Sequence, residues 1–497
     1  LTGCGLVAVR RQGRSLLYSI DVDATGRLLG YLAMDLGRAR PDVLTSIPQS
    51  KEPTVTHTGF HVLFICSGNS ARSLYAEALL RDLGPEPLDD AFDAHEGLDA
   101  LEPRDRAFVR LMVATVLRRL GQVDALVSAA LTKPDPVRAG VLDILRLGTA
   151  QLVFLDTPPH AAVDTSVAAA EGRGLSHYKG LINAVLRWVA REGADQAKKQ
   201  DAGRLNTPDW LWLAWRTAYG TPRTRGIVEA NLIEAPLDLT AKESPGDWAA
   251  RLEGTVLPTG TIRRASGGQV TDLPGYDEGA WWVQDAAAAL PAKLFGDIRG
   301  RTVYDLCAAP GGKTAQLAAA GAEVTALDRS ERRLRRLSAN LERLNLWAET
   351  LTADAATWKP EQPADAILLD APCSATGAIR RHPDILRLKT QEDVAKLAGA
   401  QRRLLAHAVE LLKPGGMLVY CTCSLQPEEG EQRIDHLLNS GAPVERLPVD
   451  PGLTVPVARP TAPRTVRGYV NRAARSAPAA PLAEPEAVPV AYEIVDW

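Results

Sequence analysis

Long apolar runs are missing from this sequence: none could span a bilayer, and no secretory leader is expected. Neither charge sign dominates. The 57 basic and 60 acidic side chains leave a net charge of −3 over 497 residues. No global field therefore draws the chain to nucleic acid, and any such partner must be held by local patches. Cysteine is scarce, six residues in all, and none shows the Cys-x-x-Cys spacing of a structural zinc site, so no metal is expected. With a mean hydropathy of −0.11, these absences point to a soluble protein of the reducing cytoplasm, with room for roughly three domains.

Two of the cysteines stand in tight motifs behind apolar runs. Cys373 lies in Asp370-Ala-Pro-Cys-Ser-Ala-Thr-Gly377, after Ala366-Ile-Leu-Leu369. Cys423 lies in Tyr420-Cys-Thr-Cys-Ser424, which ends the run from Met417. Both runs read as buried parallel strands, and strand ends are where an open α/β sheet presents its chemistry. Upstream, Val303-Tyr-Asp-Leu-Cys-Ala-Ala-Pro-Gly-Gly-Lys-Thr314 carries a short strand into a glycine-rich turn that opens a helix with its first amides unpaired. Carboxylates follow at successive strand ends: Asp328, Asp354 and Asp370. One such acid alone reads as a cap or turn former. Three in order read as a nucleoside site, with Asp328 where a ribose-hydroxyl acceptor usually sits. The turn has neither dinucleotide nor phosphate-loop spacing. An adenosine cofactor without a pyrophosphate fits, and S-adenosylmethionine is expected.

A thiol pair beside such a site suits attack on a pyrimidine. Carbon 5 of the ring is a poor nucleophile, but a thiolate added at carbon 6 makes it enamine-like and able to take an electrophilic methyl. The carbon-5 proton and the thiolate must then leave, which needs an acid and a base. The motifs from Cys307 and Asp370, with Ile379-Arg-Arg-His-Pro-Asp384 and Thr422-Cys-Ser424, resemble the RNA cytosine-C5 methyltransferases of the RsmB (Fmu/Sun) type. The resemblance implies that Cys423 is the nucleophile and Cys373 the thiol that helps release product, whereas DNA enzymes attack with the Pro-Cys cysteine. It implies that Asp370 holds the cytosine edge near the methyl donor. It also assigns S-adenosylmethionine to Cys307, Ala308, Ala309, Pro310, Gly311, Gly312, Lys313, Asp328, Asp354 and Asp370. Cys421 is read as a packing residue pointing away from Cys423. The expected fold is an α/β Rossmann-like S-adenosylmethionine-dependent methyltransferase domain over 276–450. Its sheet is mostly parallel and lacks a clear counterpart of the family's antiparallel last strand. Pro443 to Val449 suits a sixth strand, and Ala491 to Trp497 is a candidate to dock as another.

Upstream, Arg106 to Arg118 and Val141 to Leu155 repeat apolar residues at three and four positions, the pattern of a helical bundle. Ile144 to Leu152, Pro159-His-Ala-Ala-Val163 and Gly180-Leu-Ile-Asn-Ala-Val-Leu-Arg187 resemble the NusB-type RNA-binding domain. That resemblance implies an all-α domain over 85–195, in which His160 and Asn183 are open between RNA contact and a buried or capping role. Arg191 to Asn206 reads as a linker. Residues 207–275 resemble the family's small intermediate domain, with Trp210, Trp212 and Trp215 read as core. Local basic candidates for RNA are Arg104, Arg106, Arg110, Arg118 and Arg119, with Arg380 and Arg381 beside the catalytic turn. Arg332, Arg333, Arg335 and Arg336 read as a solvated helix face.

The first 84 residues match no part of such an enzyme. Within 1–50, Cys4 to Tyr18 resembles the wing of an ArsR-type repressor. Within 58–84, His61 to Ser73 resembles the first strand and anion loop of a low-molecular-weight phosphatase or arsenate reductase, with Cys66 and Arg72 as its thiol and guanidinium. A lone βα unit cannot bury its own apolar face, so the segment is expected to be an inactive remnant or a gene-model junction near Pro85. Residues 451–497, rich in Pro and Ala, read as disordered. The expected function is methyl transfer from S-adenosylmethionine to carbon 5 of a cytosine in 16S rRNA, free or partly assembled, through a covalent Cys–cytosine adduct. The enzyme is expected to be a cytoplasmic monomer without a membrane or DNA partner. Rival readings are a tRNA cytosine-C5 methyltransferase, an RNA-binding assembly factor whose catalysis has lapsed, and an arsenic-response fusion resting on residues 1–84.

Overall fold

A computed structural model of the chain describes residues 7–12, 15–20, 69–82, 87–95, 97–131, 137–265, 269–447, 456–457, 466–467 and 489–494. The chain divides into two units, Leu1–Ile65 and Cys66–Trp497. In the first, β1 (Val7–Gln12) and β2 (Ser15–Ile20) form an antiparallel hairpin with Gln12 opposite Ser15. The rest of the repressor-like segment, Cys66, and most of the Pro/Ala-rich segment lie outside the described residues.

The second unit opens with a helical bundle: α1 (Asn69–Asp82), α2 (Leu88–Ala94), α3 (Pro103–Ala130), α4 (Ala139–Phe154), α5 (Pro159–Gly172) and α6 (Lys179–Trp188). Apolar residues spaced by three and four close two cores. Val109, Met112, Val113 and Val116 pack with Leu88 and Phe92, and Ile144, Leu145, Ile182, Val185 and Leu186 pack together. Helix α1, which the sequence places in the phosphatase-like unit, packs against α3, α4 and α5. Its Ala76 enters the first core, and its buried Glu77 pairs with Arg173 of the loop after α5. The buried side of α1 is therefore covered by the bundle. Arg72 pairs with Asp105 at 3.3 Å and lies over the Phe108 ring.

The segment read as a linker is helical through Val189–Gly193, Ala194–Lys199 and Ala202–Asn206. It seats in a bend of α3, where Arg119 departs from helical geometry (φ −114°, ψ 15°). The Gln122 amide donates to Asn206 at 3.1 Å, and Asn206 donates back to Gln122 Oε1 at 3.0 Å. Gly121 permits this approach, because a Cβ there would stand 1.9 Å from the Leu205 carbonyl oxygen.

Several arginines read as RNA contacts are engaged inside the protein. Arg106 reaches Asp99 (2.8 Å) and Arg110 grips Asp89 (2.6 and 3.0 Å). Arg118 donates to the Arg380 carbonyl (3.0 Å) and Arg119 to that of Leu232 (2.9 Å).

Beyond the bundle, α7 (Asp209–Asn231) precedes a small antiparallel sheet ordered β4-β5-β3-β6: β3 (Leu237–Ala241), β4 (Thr255–Val256), β5 (Ile262–Arg264) and β6 (Trp281–Val283). Its last strand lies past Gly275. Trp212 and Trp215 are buried, and Trp210 packs against the same cluster.

The large sheet is ordered β12-β15-β11-β10-β7-β8-β9. Its strands are β7 (Thr302–Leu306), β8 (Glu323–Asp328), β9 (Glu349–Thr352), β10 (Ala364–Asp370), β11 (Leu412–Thr422), β12 (Glu445–Arg446) and β15 (Pro489–Ile494). Two further short strands, β13 (Pro456–Val457) and β14 (Val466–Arg467), pair with each other. All pairs in the large sheet are parallel. Parallel strands buried on both faces read as unbroken apolar runs, and alternate residues divide between two cores. Val303, Ala366, Leu368 and Val419 face Leu317 and Phe295. Tyr304, Ile367, Leu369 and Leu418 face Leu404, Leu405, Ile434 and Leu437. These last come from α10 (Gln391–Glu410) and α11 (Glu431–Asn439), while α8 (Gly312–Ala319) and α9 (Glu331–Arg343) follow β7 and β8.

The place beside β11 that the sequence left open is taken by β15, with Tyr420 opposite Tyr492, running parallel where the family resemblance implied an antiparallel strand. On α9, Leu334, Leu337 and Leu341 are buried, but the opposite side is not simply solvated. Arg332 reaches Asp90 (2.7 Å) and Arg336 reaches Asp93 (2.9 Å), both on acidic α2. Among the described residues no helix is long and apolar enough to cross a membrane.

Candidate active site

Strand order reverses at β7, whose neighbours are β8 on one side and β10 on the other. The carboxyl ends beside such a switch point form the binding crevice of an open α/β sheet. The expected cofactor and catalytic residues between Cys307 and Cys423 fall at that edge.

The turn after β7 is bound to the end of β8. Ala308 donates to the Leu327 carbonyl (2.7 Å), and the Ala309 amide donates to Asp328 Oδ2 (3.3 Å). Arg333 braces the same corner, 3.3 Å from Asp328 and hydrogen-bonded to the Ala309 carbonyl. Asp328 also accepts from the Ser330 amide (2.9 Å). Cys307 and Gly311 both take left-handed backbone, φ 70° and 102°. At Gly311 this has a second constraint: a Cβ would stand 2.6 Å from Leu337 Cγ. Asp354, exposed past β9, sits next to Asp328, since the Ala353 amide donates to the Asp328 carbonyl at 3.2 Å. Burial and the charges of Asp370, Asp328 and Asp305 push the Cys307 thiol up to about 12, so it stays protonated.

Lys313 crosses from α8 to the end of β10, and its Nζ lies 2.8 Å from Asp370 Oδ2. Burial is the strongest influence and opposes its charge, but Asp370, Cys421 and Cys423 together outweigh it and hold the ammonium well above the usual lysine range. The Cys373 and Cys423 sulfurs stand 3.5 Å apart, Cys423 exposed and Cys373 half-buried. The contact with Cys373 holds the Cys423 thiol below the ordinary range, against burial and the Asp370 charge and with help from Lys313. The same contact, together with burial, holds Cys373 well above it. Of the two sulfurs, Cys423 is the one that gives up its proton more readily.

Cys421 requires a correction. Residues two apart on a strand share a face, so alternation does not turn Cys421 away from Cys423. They part because β11 ends at Thr422 and the chain turns. Cys421 is buried among Val303, Leu368 and Val419, yet its Sγ lies 3.6 Å from Asp370 Oδ1. It therefore borders the site as well as packing.

Sequence reasoning passed over two acids here. Asp305, inside the turn motif, is fully buried and accepts from Thr314 Oγ1 at 2.7 Å. Burial, with Asp370 adding, pushes its carboxyl from 3.8 to about 7. Glu429, also fully buried, touches Ser374 and Ser424, the residues immediately after the two cysteines. Their Pro-Cys-Ser and Thr-Cys-Ser motifs were visible; the acid between them resembled an ordinary residue ahead of α11.

His160 is exposed, and Asn183 accepts from Arg187 Nε at 3.0 Å.

The family profile described as 16S rRNA methyltransferase RsmB/F matches residues 297–455, and that of the NusB family matches residues 70–191. The NusB match takes in nearly all of α1, in keeping with its packing. The ribosomal RNA small subunit methyltransferase B of Vibrio cholerae serotype O1 is 39% identical over 409 residues, which cover 77% of this chain and 93% of that protein. The protein of the same name from Cronobacter sakazakii is 35% identical over 388 residues, 72% of this chain and 90% of its own. The crystal structure of PH0851 has the same fold over 78% of this chain and 92% of that one, with a TM-score of 0.61 at 21% identity. The chain belongs to the RsmB/F family of 16S rRNA methyltransferases, enzymes that act on RNA and depend on S-adenosylmethionine.

Proposed function

We propose that the chain methylates carbon 5 of a cytosine in 16S rRNA through a covalent adduct on Cys423. The observation that carries this reading is the sulfur pair: an exposed thiol held toward the thiolate, 3.5 Å from one held protonated. A thiolate is the nucleophile that addition to carbon 6 requires. The sulfur–carbon bond forms as the ring's 5,6 double bond opens, and carbon 5 then takes the methyl group. Loss of the carbon-5 proton to a base restores the double bond and expels the sulfur. Cys373, 3.5 Å from the departing Cys423, would help that release.

The donor set fits S-adenosylmethionine. A glycine turn opens α8, and carboxylates stand at the ends of β8 and β10 and just past β9. When bound, the cofactor supplies the electrophilic methyl. We assign it to Cys307 through Lys313 with Asp328, Asp354 and Asp370, Asp328 taking the ribose hydroxyls. Asp370, anchored by Lys313, would face both the cytosine edge and the donor. Acting on a base requires it to be unpaired or flipped out, which suits RNA that is free or partly assembled.

The test uses the full chain with a 16S rRNA transcript. Cys423→Ala is expected to abolish methylation. Cys373→Ala is expected to accumulate a protein–RNA adduct that survives denaturing electrophoresis. Persisting methylation by the Cys423→Ala variant would remove Cys423 from the role of nucleophile.

A further inference from the structure

We infer that Glu429 is a positioning residue that sets the spacing of the two cysteines by tying their loops together. The inference rests on the thiol pair proposed above. Cys373 follows β10 and Cys423 follows β11, and no covalent link sets their separation. Glu429 lies beyond both loops, before α11, with its side chain fully buried between them. From the Cys373 loop, the Ser374 amide donates to Glu429 Oε1 at 2.8 Å and the Ser374 hydroxyl donates to Oε2. From the Cys423 loop, the Ser424 hydroxyl donates to the same Oε2 at 2.5 Å. Gln401 of α10 adds a bond to Oε1 (3.2 Å) and another to the Pro372 carbonyl (2.9 Å). The Tyr420 hydroxyl holds the Glu429 main chain at 2.6 Å.

Both carboxylate oxygens are thus filled by donors that come from the two cysteine loops and from the helix behind them. Each serine is the residue directly after its cysteine, so moving either serine moves a sulfur. A carboxylate suits this place because every partner donates to it. Glutamine would offer one accepting oxygen and turn an NH2 group toward the remaining donors. At 3.5 Å the Cys373 thiol can donate to a Cys423 thiolate and so favour that form. A side chain that holds the loops in register therefore governs reactivity without touching RNA or methyl donor.

The experiment compares Glu429→Gln and Ser374→Ala with the unaltered chain, using a 16S rRNA transcript. Steady-state rates give kcat and KM, and calorimetry gives S-adenosylmethionine affinity. The pH dependence of Cys423 alkylation by iodoacetamide is read by peptide mass spectrometry. Loss of a hydrogen bond to a charged group should lower kcat about tenfold, with KM for RNA and donor affinity unchanged. The alkylation midpoint should rise toward that of an ordinary thiol. If Glu429→Gln does not fold, Ser374→Ala is judged by the same criteria, since it cuts one tie and leaves the acid in place. An unchanged kcat and alkylation midpoint overturns the inference, and so does donor affinity falling in step with kcat. The alkylation midpoint needs no turnover. It therefore still reports on Glu429 if Cys423→Ala methylates and the nucleophile assignment itself fails.

Discussion

Gly311 offers the sharpest test of the proposed cofactor turn. It stands just before α8 at φ 102°, and a Cβ there would stand 2.6 Å from Leu337 Cγ and 3.3 Å from Leu337 Cβ and Cδ1. Leu337 is fully buried among Leu334, Leu341 and Trp282 and has no room to swing aside. Gly311→Ala therefore meets two penalties: about 1–2 kcal/mol for a side chain on left-handed backbone, and about 1–3 kcal/mol for overpacking. Together these come to roughly 2–5 kcal/mol. The strain can stay in the fold, or the turn can move off α9 and relax. In the first case the folded state is destabilised. In the second, binding must restore the turn, and even 2 kcal/mol weakens the donor about thirtyfold. Urea denaturation and calorimetric titration with S-adenosylmethionine divide the penalty between the two. A variant whose unfolding free energy is unchanged and whose donor Kd stays within about twofold would refute the reasoning, because the strain would then appear nowhere.

Trp215→Ala should cost about 3–5 kcal/mol in urea unfolding, since Trp215 is fully buried against Leu211, Ile379, Ile385 and Leu425; a loss below about 1 kcal/mol would show that α7 does not support the loops that follow the two cysteines. Asp305→Asn should change how stability depends on pH. Burial raises this carboxyl from 3.8 to about 7, so between those values the unfolded chain has released a proton that the folded chain keeps. Stability therefore falls as pH rises through that window. The asparagine variant lacks this contribution and should gain on the parent from pH 5 to pH 8, whereas parallel pH profiles would mean that Asp305 does not titrate as described.

The site was legible where local sequence carries its own geometry. Glycine at a left-handed turn, carboxylates at strand ends and cysteines directly after apolar runs are short-range signals. The parallel sheet placed all of them on one edge. Pairings between distant segments left no such trace. Arg332 and Arg336 look solvated on α9 until α2, more than 200 residues earlier, brings Asp90 and Asp93 to them. Nor could Arg191 to Asn206 be known as helix rather than linker without the bend in α3 that Asn206 fills. Helix α1 adjoins the phosphatase-like segment in the chain, while its packing partners lie in α3, α4 and α5.

Cys421 and Glu429 show why a motif is an incomplete description of a site. The Thr-Cys-Ser motif marks Cys423, but the difference between Cys421 and Cys423 arises where β11 stops. One thiol remains within the sheet against Asp370, and the next turns out to meet Cys373. What keeps it there is not in either cysteine motif. The serine after each cysteine is spent on one buried acid, so the two motifs behave as one unit whose join lies five residues downstream of the second serine. Substitutions at Ser374, Ser424 and Glu429 should therefore be non-additive: once the tie is cut from one side, cutting it from the other costs little more.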